Sequence, residues 1–311
     1  MLRPFEEGRD EEAWLELANA YLARYYGPEL EPLDEEDINW MKKCPWWENS
    51  RPLVAELSGE PVGTIMPWVD RRYEPPRGYL WSFFVKPELE GSEVDRALLR
   101  EALSWLASEG ASSVRASTRD NMKARMELLL SEGFRVVSSW SVMRLRPGEL
   151  AKGLRPNEQV ELRRAYPLSN EEDLRILNAL HNDAFSEDPD FRPETLEETR
   201  SWLEHEGYED FVLLAFSSGR PVGFVVATVS KELESLAFKR GIIYEIGVSA
   251  PFRRRGIGTA LMLAAIGWLA SKGAEVIELS TDDDNPTGAP AFYARLGFKR
   301  AYGGLLFLKE L

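Results

Sequence analysis

The chain has 311 residues, 44% of them hydrophobic and 29% charged, with a formal net charge of -14. That length suits two globular domains, and the acidic balance excludes sequence-independent nucleic-acid binding, which needs a basic face. One cysteine, Cys44, and two histidines, His181 and His205, exclude an internal disulfide and leave no Cys/His metal cluster or Cys–His nucleophile pair to expect.

In chain order, Leu2–Glu6 reads as a short strand and Glu11–Tyr25 as an acidic-capped amphipathic helix. NWMKKCPWWENSRP (39–52) is an aromatic-rich insert, and eight of the ten tryptophans fall in the first half. The insert can serve core packing or border an acceptor site. A hairpin over Pro52–Val69 turns at Ser58-Gly59, and a strand follows over Tyr79–Val85. Next come a helix with Val94, Leu98, Ala102 and Trp105 on its apolar face, a strand over Ser113–Thr118, a short helix, Gly133-Phe134 and a last strand.

RPGELAKGLRPNEQ (146–159) carries Pro and Gly without hydrophobic periodicity and reads as a linker. The series then repeats: strand Val160–Ala165, helix Glu171–Phe185, hairpin Asp210–Val229, strand Gly241–Val248, helix, strand Glu275–Thr281, short helix, Gly297-Phe298 and last strand. ALSWLASEGA (102–111) matches AIGWLASKGA (265–274), and SGEPVG (58–63) matches SGRPVG (218–223). Two copies of one α/β, or α+β layered, fold are expected, over residues 1–150 and 158–311. The N-terminus MLRPFEEGRDEEAW has no signal-peptide core and no apolar run would span a bilayer, so a cytoplasmic protein without membrane partners is expected.

SAPFRRRGIGTALM (249–262) sets three arginines against Gly-x-Gly at a helix start. The first amides of a helix lack intrahelical partners, and with the helix dipole they favour an anion. Gly256 and Gly258 allow close backbone approach, while Arg253, Arg254 and Arg255 add positive charge. A phosphate or pyrophosphate fits such a loop; a solvated surface cap is the other reading. Upstream, Glu245 is a lone carboxylate in the apolar strand IIYEIGV, costly unless it is paired or faces a cleft. By strand alternation Tyr244 points away from it. TDDDN (281–285) offers alternative carboxylates, as amine ligands, as a base or as solvated charge.

The ordered set V-x-x-P-x-R-R-R-G-I-G-T-A-L, helix, strand, then N-x-x-x-x-x-x-F-Y-x-x-x-G-F resembles the GCN5-related N-acetyltransferase (GNAT) superfamily. The resemblance covers most of 158–311 and, more weakly, 1–150. It implies two tandem domains, each a mixed, mostly antiparallel sheet flanked by helices, and acetyl-CoA as acyl donor. The family's pattern Arg/Gln-x-x-Gly-x-Gly/Ala falls on Arg253, Gly256 and Gly258, with Arg254, Arg255, Ile257 and Thr259 in the same loop. It further implies a pantetheine arm beside Ile246, Gly247 and Val248, a cofactor contact at Asn285, and Tyr293 as general acid. Family members often place a carboxylate base on this strand, which Glu245 would supply, for acetyl transfer to a small-molecule or peptide amine.

In the first half, Glu93 and Asp95 stand where Gly256 and Gly258 would, Glu90 for Arg253 and Leu129 for Tyr293. The first copy is therefore expected to be degenerate and the second active. Two other readings stand beside an N-acetyltransferase: a non-catalytic CoA-binding sensor, and a transferase for another acyl group.

Overall fold

The computed structural model describes residues 1–27, 32–44, 46–187, 191–204, 207–230 and 238–311. Two compact units emerge, Met1–Trp140 with Tyr302–Leu311, and Ser141–Ala301. They do not part within 146–159, and each unit takes the last strand of the other half.

In the first unit the elements run β1 (Leu2–Pro4), α1 (Glu11–Tyr26), α2 (Glu35–Lys43), β2 (Leu53–Leu57), β3 (Glu60–Asp70), β4 (Arg77–Val85), α3 (Glu93–Ser108), β5 (Ser113–Arg119) and α4 (Lys123–Ser131). The next strand, β6 (Arg135–Leu145), passes from the first unit into the second at Trp140. The second unit continues with β7 (Glu161–Ala165), α5 (Glu171–Phe185), α6 (Leu196–Ser201), β8 (Tyr208–Ser217), β9 (Arg220–Ser230), β10 (Arg240–Val248), α7 (Ile257–Ser271), β11 (Val276–Asp282) and α8 (Ala289–Leu296). The final strand, β12 (Lys299–Glu310), returns to the first unit at Tyr302.

Strand order is β1-β2-β3-β4-β5-β12 in the first unit and β6-β11-β10-β9-β8-β7 in the second. Only one pair in each is parallel among those with described registers, β4 with β5 and β10 with β11. The expected mixed, mostly antiparallel sheets flanked by helices are present. The last strands follow Gly-Phe as expected. The sequence pattern gives their periodicity but not which sheet edge accepts them: β12 pairs antiparallel with β5 from Gly304↔Arg119 to Glu310↔Ser113.

The repeated Pro-Val-Gly exists for packing. A Cβ on Gly223 would lie 2.9 Å from the Gly247 carbonyl oxygen and 3.3 Å from Leu261, and one on Gly63 would lie 2.7 Å from Val85 and 3.0 Å from Leu98. A bare position therefore lets α3 and α7 sit close on their sheets. Leu261, Ala265 and Leu269 are fully buried on that side of α7, and Trp268 stacks on Phe211 with ring centres 5.0 Å apart. The stretch 146–159 is no loose linker: Leu150 and Leu154 pack on the second core, and the Ala151 amide donates to the Leu296 carbonyl at 3.0 Å. Three tryptophans of the first unit pack on each other, Trp46 against Trp81 at 4.7 Å and Trp81 against Trp68 at 5.3 Å. Pro45 of the aromatic insert and His205 lie outside the described residues.

Candidate active site

The site begins with a strand that stops pairing. β10 and β11 run in parallel register only from Arg240↔Val276 to Ile242↔Glu278. On its other side β10 pairs with β9 through Ile243↔Ala227 and then Glu245↔Val226, so Tyr244 is an extra, bulged residue. Beyond that point β10 and β11 separate and leave a cavity of about 650 Å³, a size that suits a small-molecule site. Ile243 to Val248 border it from one strand and Leu279 to Asp282 from the other. The register shift at Tyr244 interrupts the two-residue alternation on which the expected opposition of Tyr244 and Glu245 rested, and both residues border the cavity.

α7 closes one end. Its N-cap, Gly256, has φ +78° and supplies no side-chain cap. The Gly256 carbonyl accepts from Ala260, and the amides of Ile257, Gly258 and Thr259 precede the first intrahelical bond. All three residues line the cavity. The two glycines differ in use. A Cβ on Gly256 would strike the backbone of 155–157 at 2.9 Å, whereas one on Gly258 would meet nothing closer than Phe292 at 3.5 Å. Gly256 thus serves the left-handed turn and the segment beneath it. Gly258 keeps the cavity side bare.

The three arginines also separate. Arg253 donates from Nε to the Val248 carbonyl at 3.0 Å and from Nη2 to the Ala184 carbonyl at 2.8 Å, while Nη1 pairs with Glu187. Arg254 lines the cavity and donates to the Thr287 carbonyl at 3.1 Å. Arg255 is exposed and sits over the Phe252 ring, outside the cavity lining. Asn285 borders the cavity as a turn-former, not as the cap of α8: its Oδ1 accepts from the Thr287 amide at 3.0 Å and hydroxyl at 2.6 Å, and α8 starts after Gly288. Of the neighbouring acids, Asp282 lines the cavity and Asp283 accepts from the Ser141 hydroxyl at 2.6 Å.

Glu245 and Tyr293 face the same space. Burial pushes the Glu245 carboxyl up to about 8, with the charge of Glu194 adding to the shift. Burial also raises the Tyr293 hydroxyl, and the charge of Glu245 adds to it. Tyr293 is buried on α8, with its ring beside Phe292 and Phe298. Such a pair stays protonated well above the ordinary carboxylate range and suits proton transfer near neutral pH. His181 stands apart as a buried, neutral ring: burial and Arg192 lower it to about 4, and Trp202 packs on it at 4.6 Å. Cys44 is buried and raised to about 11, an unreactive thiol. Among the described residues no group of His, Cys, Asp and Glu could hold a metal ion, and no helix is long and apolar enough to cross a membrane.

The profile of the acetyltransferase (GNAT) family matches residues 14–134 and again 175–298. The chain belongs to the GNAT family. A mycothiol acetyltransferase of Thermobispora bispora is 30% identical over 73% of this chain and 74% of its own length. In structure, a GCN5-related N-acetyltransferase of Sphaerobacter thermophilus aligns with a TM-score of 0.72 at 23% identity, over 100% of this chain and 95% of its own. A tandem GNAT protein from the clavulanic acid biosynthesis pathway aligns with 0.77 at 16% identity, over 100% and 98%. These two share the fold.

Within this GNAT chain the first unit keeps the scaffold of the cavity and fills it. β4 and β5 also stay in register only from Arg77↔Ser113 to Leu80↔Ala116, and β4 is also bulged. The Arg125 side chain, from α4, occupies the opening: it donates to the Phe83 carbonyl at 3.2 Å, covers the Phe83 ring and pairs with Asp95 at 3.0 Å. Both partners are buried. At the start of α3 the Ser92 side chain accepts from the Val94 amide, and Asp95 accepts from the Gly91 amide at 2.9 Å. The helix end that α7 leaves open is thus capped from within. Arg125→Leu leaves the Asp95 carboxylate buried without its cation. The expected cost is about 3 kcal/mol, read as a lower urea midpoint, and adding Asp95→Asn recovers part of it.

The sequence reading missed Arg155 and Arg295 at the cavity, as well as Ala184 and Phe185 of α5. No motif marks them. Arg155 sits in what reads as linker. Arg253 has a counterpart of opposite sign: Glu90 accepts from the Tyr25 hydroxyl at 2.5 Å and pairs with Arg24 at 3.4 Å, both at the end of α1. Each unit therefore ties the loop before its central helix to its first helix, with or without a cavity to serve.

Proposed function

We propose that the chain transfers the acetyl group of acetyl-CoA to a primary amine, using the second unit alone. The observation that carries this reading is the uncapped start of α7 opening onto the cavity between β10 and β11, beside the raised Glu245–Tyr293 pair. The pyrophosphate of the donor is held by the amides of Ile257, Gly258 and Thr259, with Arg254 adding charge. Arg253 shapes this loop through its bonds to Val248, Ala184 and Glu187. Past Ile242 the edge of β10 has no partner in β11, so the backbone of Ile246 to Val248 is available to the pantetheine amides.

Glu245 takes a proton from the acceptor ammonium, directly or through water. The free amine attacks the thioester carbonyl carbon, polarised by an N–H near Val248. The C–S bond breaks, the thiolate takes its proton from the Tyr293 hydroxyl, and the proton lost by the new amide nitrogen restores that hydroxyl. The relatives' names make the amine precursor of mycothiol the first acceptor to try, followed by small-molecule and peptide amines. Tyr293→Phe tests the assignment. Its kcat is expected to fall about 100-fold with CoA binding unchanged, whereas unaltered turnover removes Tyr293 from the mechanism. Tight CoA binding without turnover of any amine would favour a sensor.

A further inference from the structure

Most arginines of this acidic chain are spent on carboxylates or carbonyls, Arg253 among them. Three that line the cavity have no carboxylate partner among the described residues. Arg254 makes one bond, to the Thr287 carbonyl. Arg295 has the Phe292 ring at 5.9 Å. The Arg155 side chain is exposed and, among the described residues, has no hydrogen-bond or ion-pair partner. They come from three separate segments: the stretch after the 3-10 turn Pro147–Glu149, the loop before α7, and α8.

Arg155 is held there by its backbone. The Asn157 amide donates to the Gly256 carbonyl at 3.1 Å, and the Arg155 carbonyl oxygen lies where a Cβ of Gly256 would be, 2.9 Å away. The segment 155–157 is thus pinned to the same turn whose helix amides face the cavity. A cation placed by such a backbone latch costs less to order than one on a free loop. Three guanidiniums without carboxylate partners among the described residues, lining one cavity of a protein of net charge -14, fit a dianion, and a planar fork fits a phosphomonoester best.

We propose that Arg155, with Arg254 and Arg295 beside it, forms a phosphomonoester subsite that reads the 3′-phosphate of the donor's nucleotide. The subsite rests on acetyl-CoA as donor. It adds a discrimination that the pyrophosphate seat cannot make: CoA and dephospho-CoA carry the same pyrophosphate and pantetheine and differ only in that phosphate. Arg155 is then a specificity-determining residue contributed from outside the strand–loop–helix motif.

The test is titration calorimetry of the full chain with CoA and with dephospho-CoA, for the wild type, Arg155→Ala and Arg155→Lys. The wild type is expected to bind CoA on the order of ten-fold more tightly than dephospho-CoA, the worth of one lost charge-assisted contact. Arg155→Ala should lose that preference while its dephospho-CoA affinity stays put, and Arg155→Lys should keep part of it. Equal wild-type affinities, or an equal loss for both ligands in Arg155→Ala, would overturn the subsite and leave acetyl-CoA as donor intact. Failure of the wild type to bind either ligand would overturn both.

Discussion

Gly258→Asp is expected to weaken CoA binding sharply while the protein stays folded. The substitution writes Asp95 of the first unit into the second. Gly258 has room for a side chain, since a Cβ there would make only ordinary contacts, with Phe292 at 3.5 Å and Val248 at 3.9 Å. The backbone therefore tolerates the change, and an aspartate in the first turn suits the helix dipole. Its carboxylate would, however, occupy and repel the position of a pyrophosphate, as Asp95 takes the Gly91 amide in the first unit. At least a 100-fold weaker CoA affinity is expected, from lost amide bonds and like-charge repulsion together. Calorimetry reads the affinity, and an unaltered thermal midpoint shows that folding is spared. CoA binding at wild-type strength would put the diphosphate elsewhere. Gly256→Asp is a poorer probe, because it would clash with 155–157 and fail for structural reasons.

Glu245→Gln should lower kcat about 100- to 1,000-fold, within the range for a lost general base. In the wild type the base is the ionised form, so kcat/KM should climb as pH rises through about 8, the value to which burial pushes this carboxyl. In Glu245→Gln that rise should vanish. Stability moves the other way. The folded chain keeps a proton on Glu245 between about 4.5, the ordinary value, and about 8, while the unfolded chain has released it. The stability held by the neutral form is complete below the ordinary value and is lost as pH climbs through about 8. Glu245→Gln never ionises, so its thermal midpoint at pH 9 should exceed that of the wild type, with little difference at pH 4. A variant slower in catalysis yet more resistant to alkaline unfolding would mark Glu245 as a group kept for chemistry at the expense of stability. Unchanged rates with a shifted midpoint would reduce it to a buried acid.

Much of this was legible in the residues because it depends on spacing. The α7 stripe, the Ser-Gly turns and the Gly-x-Gly start are local patterns, and the repeats doubled the signal for each. α2 and α6 were not expected, although both open on capping boxes, Asp34 with Asp37 and Thr195 with Glu198. They are short and carry few apolar residues, so periodicity missed them. The bulge at Tyr244 is invisible to composition, yet it falls where β10 leaves β11 and begins to border the cavity. The first unit's different helix start was legible as Glu93 and Asp95 in place of glycines. The contact of Arg125 with the Phe83 carbonyl did not show, because it joins residues 42 positions apart. Arg253 was legible as a cation, but a sequence cannot reveal that each of its three side-chain nitrogens also bonds within the protein, to Val248, Ala184 and Glu187.

The exchanged last strands have a bearing on synthesis. Residues 141–301 form one uninterrupted stretch, so that body has all its pieces before the chain is finished. The body begun at Met1 does not: its sheet stays one strand short until Tyr302–Leu311 leave the ribosome. The half made first is the half completed last, and its open β5 edge waits for the final ten residues to cover it.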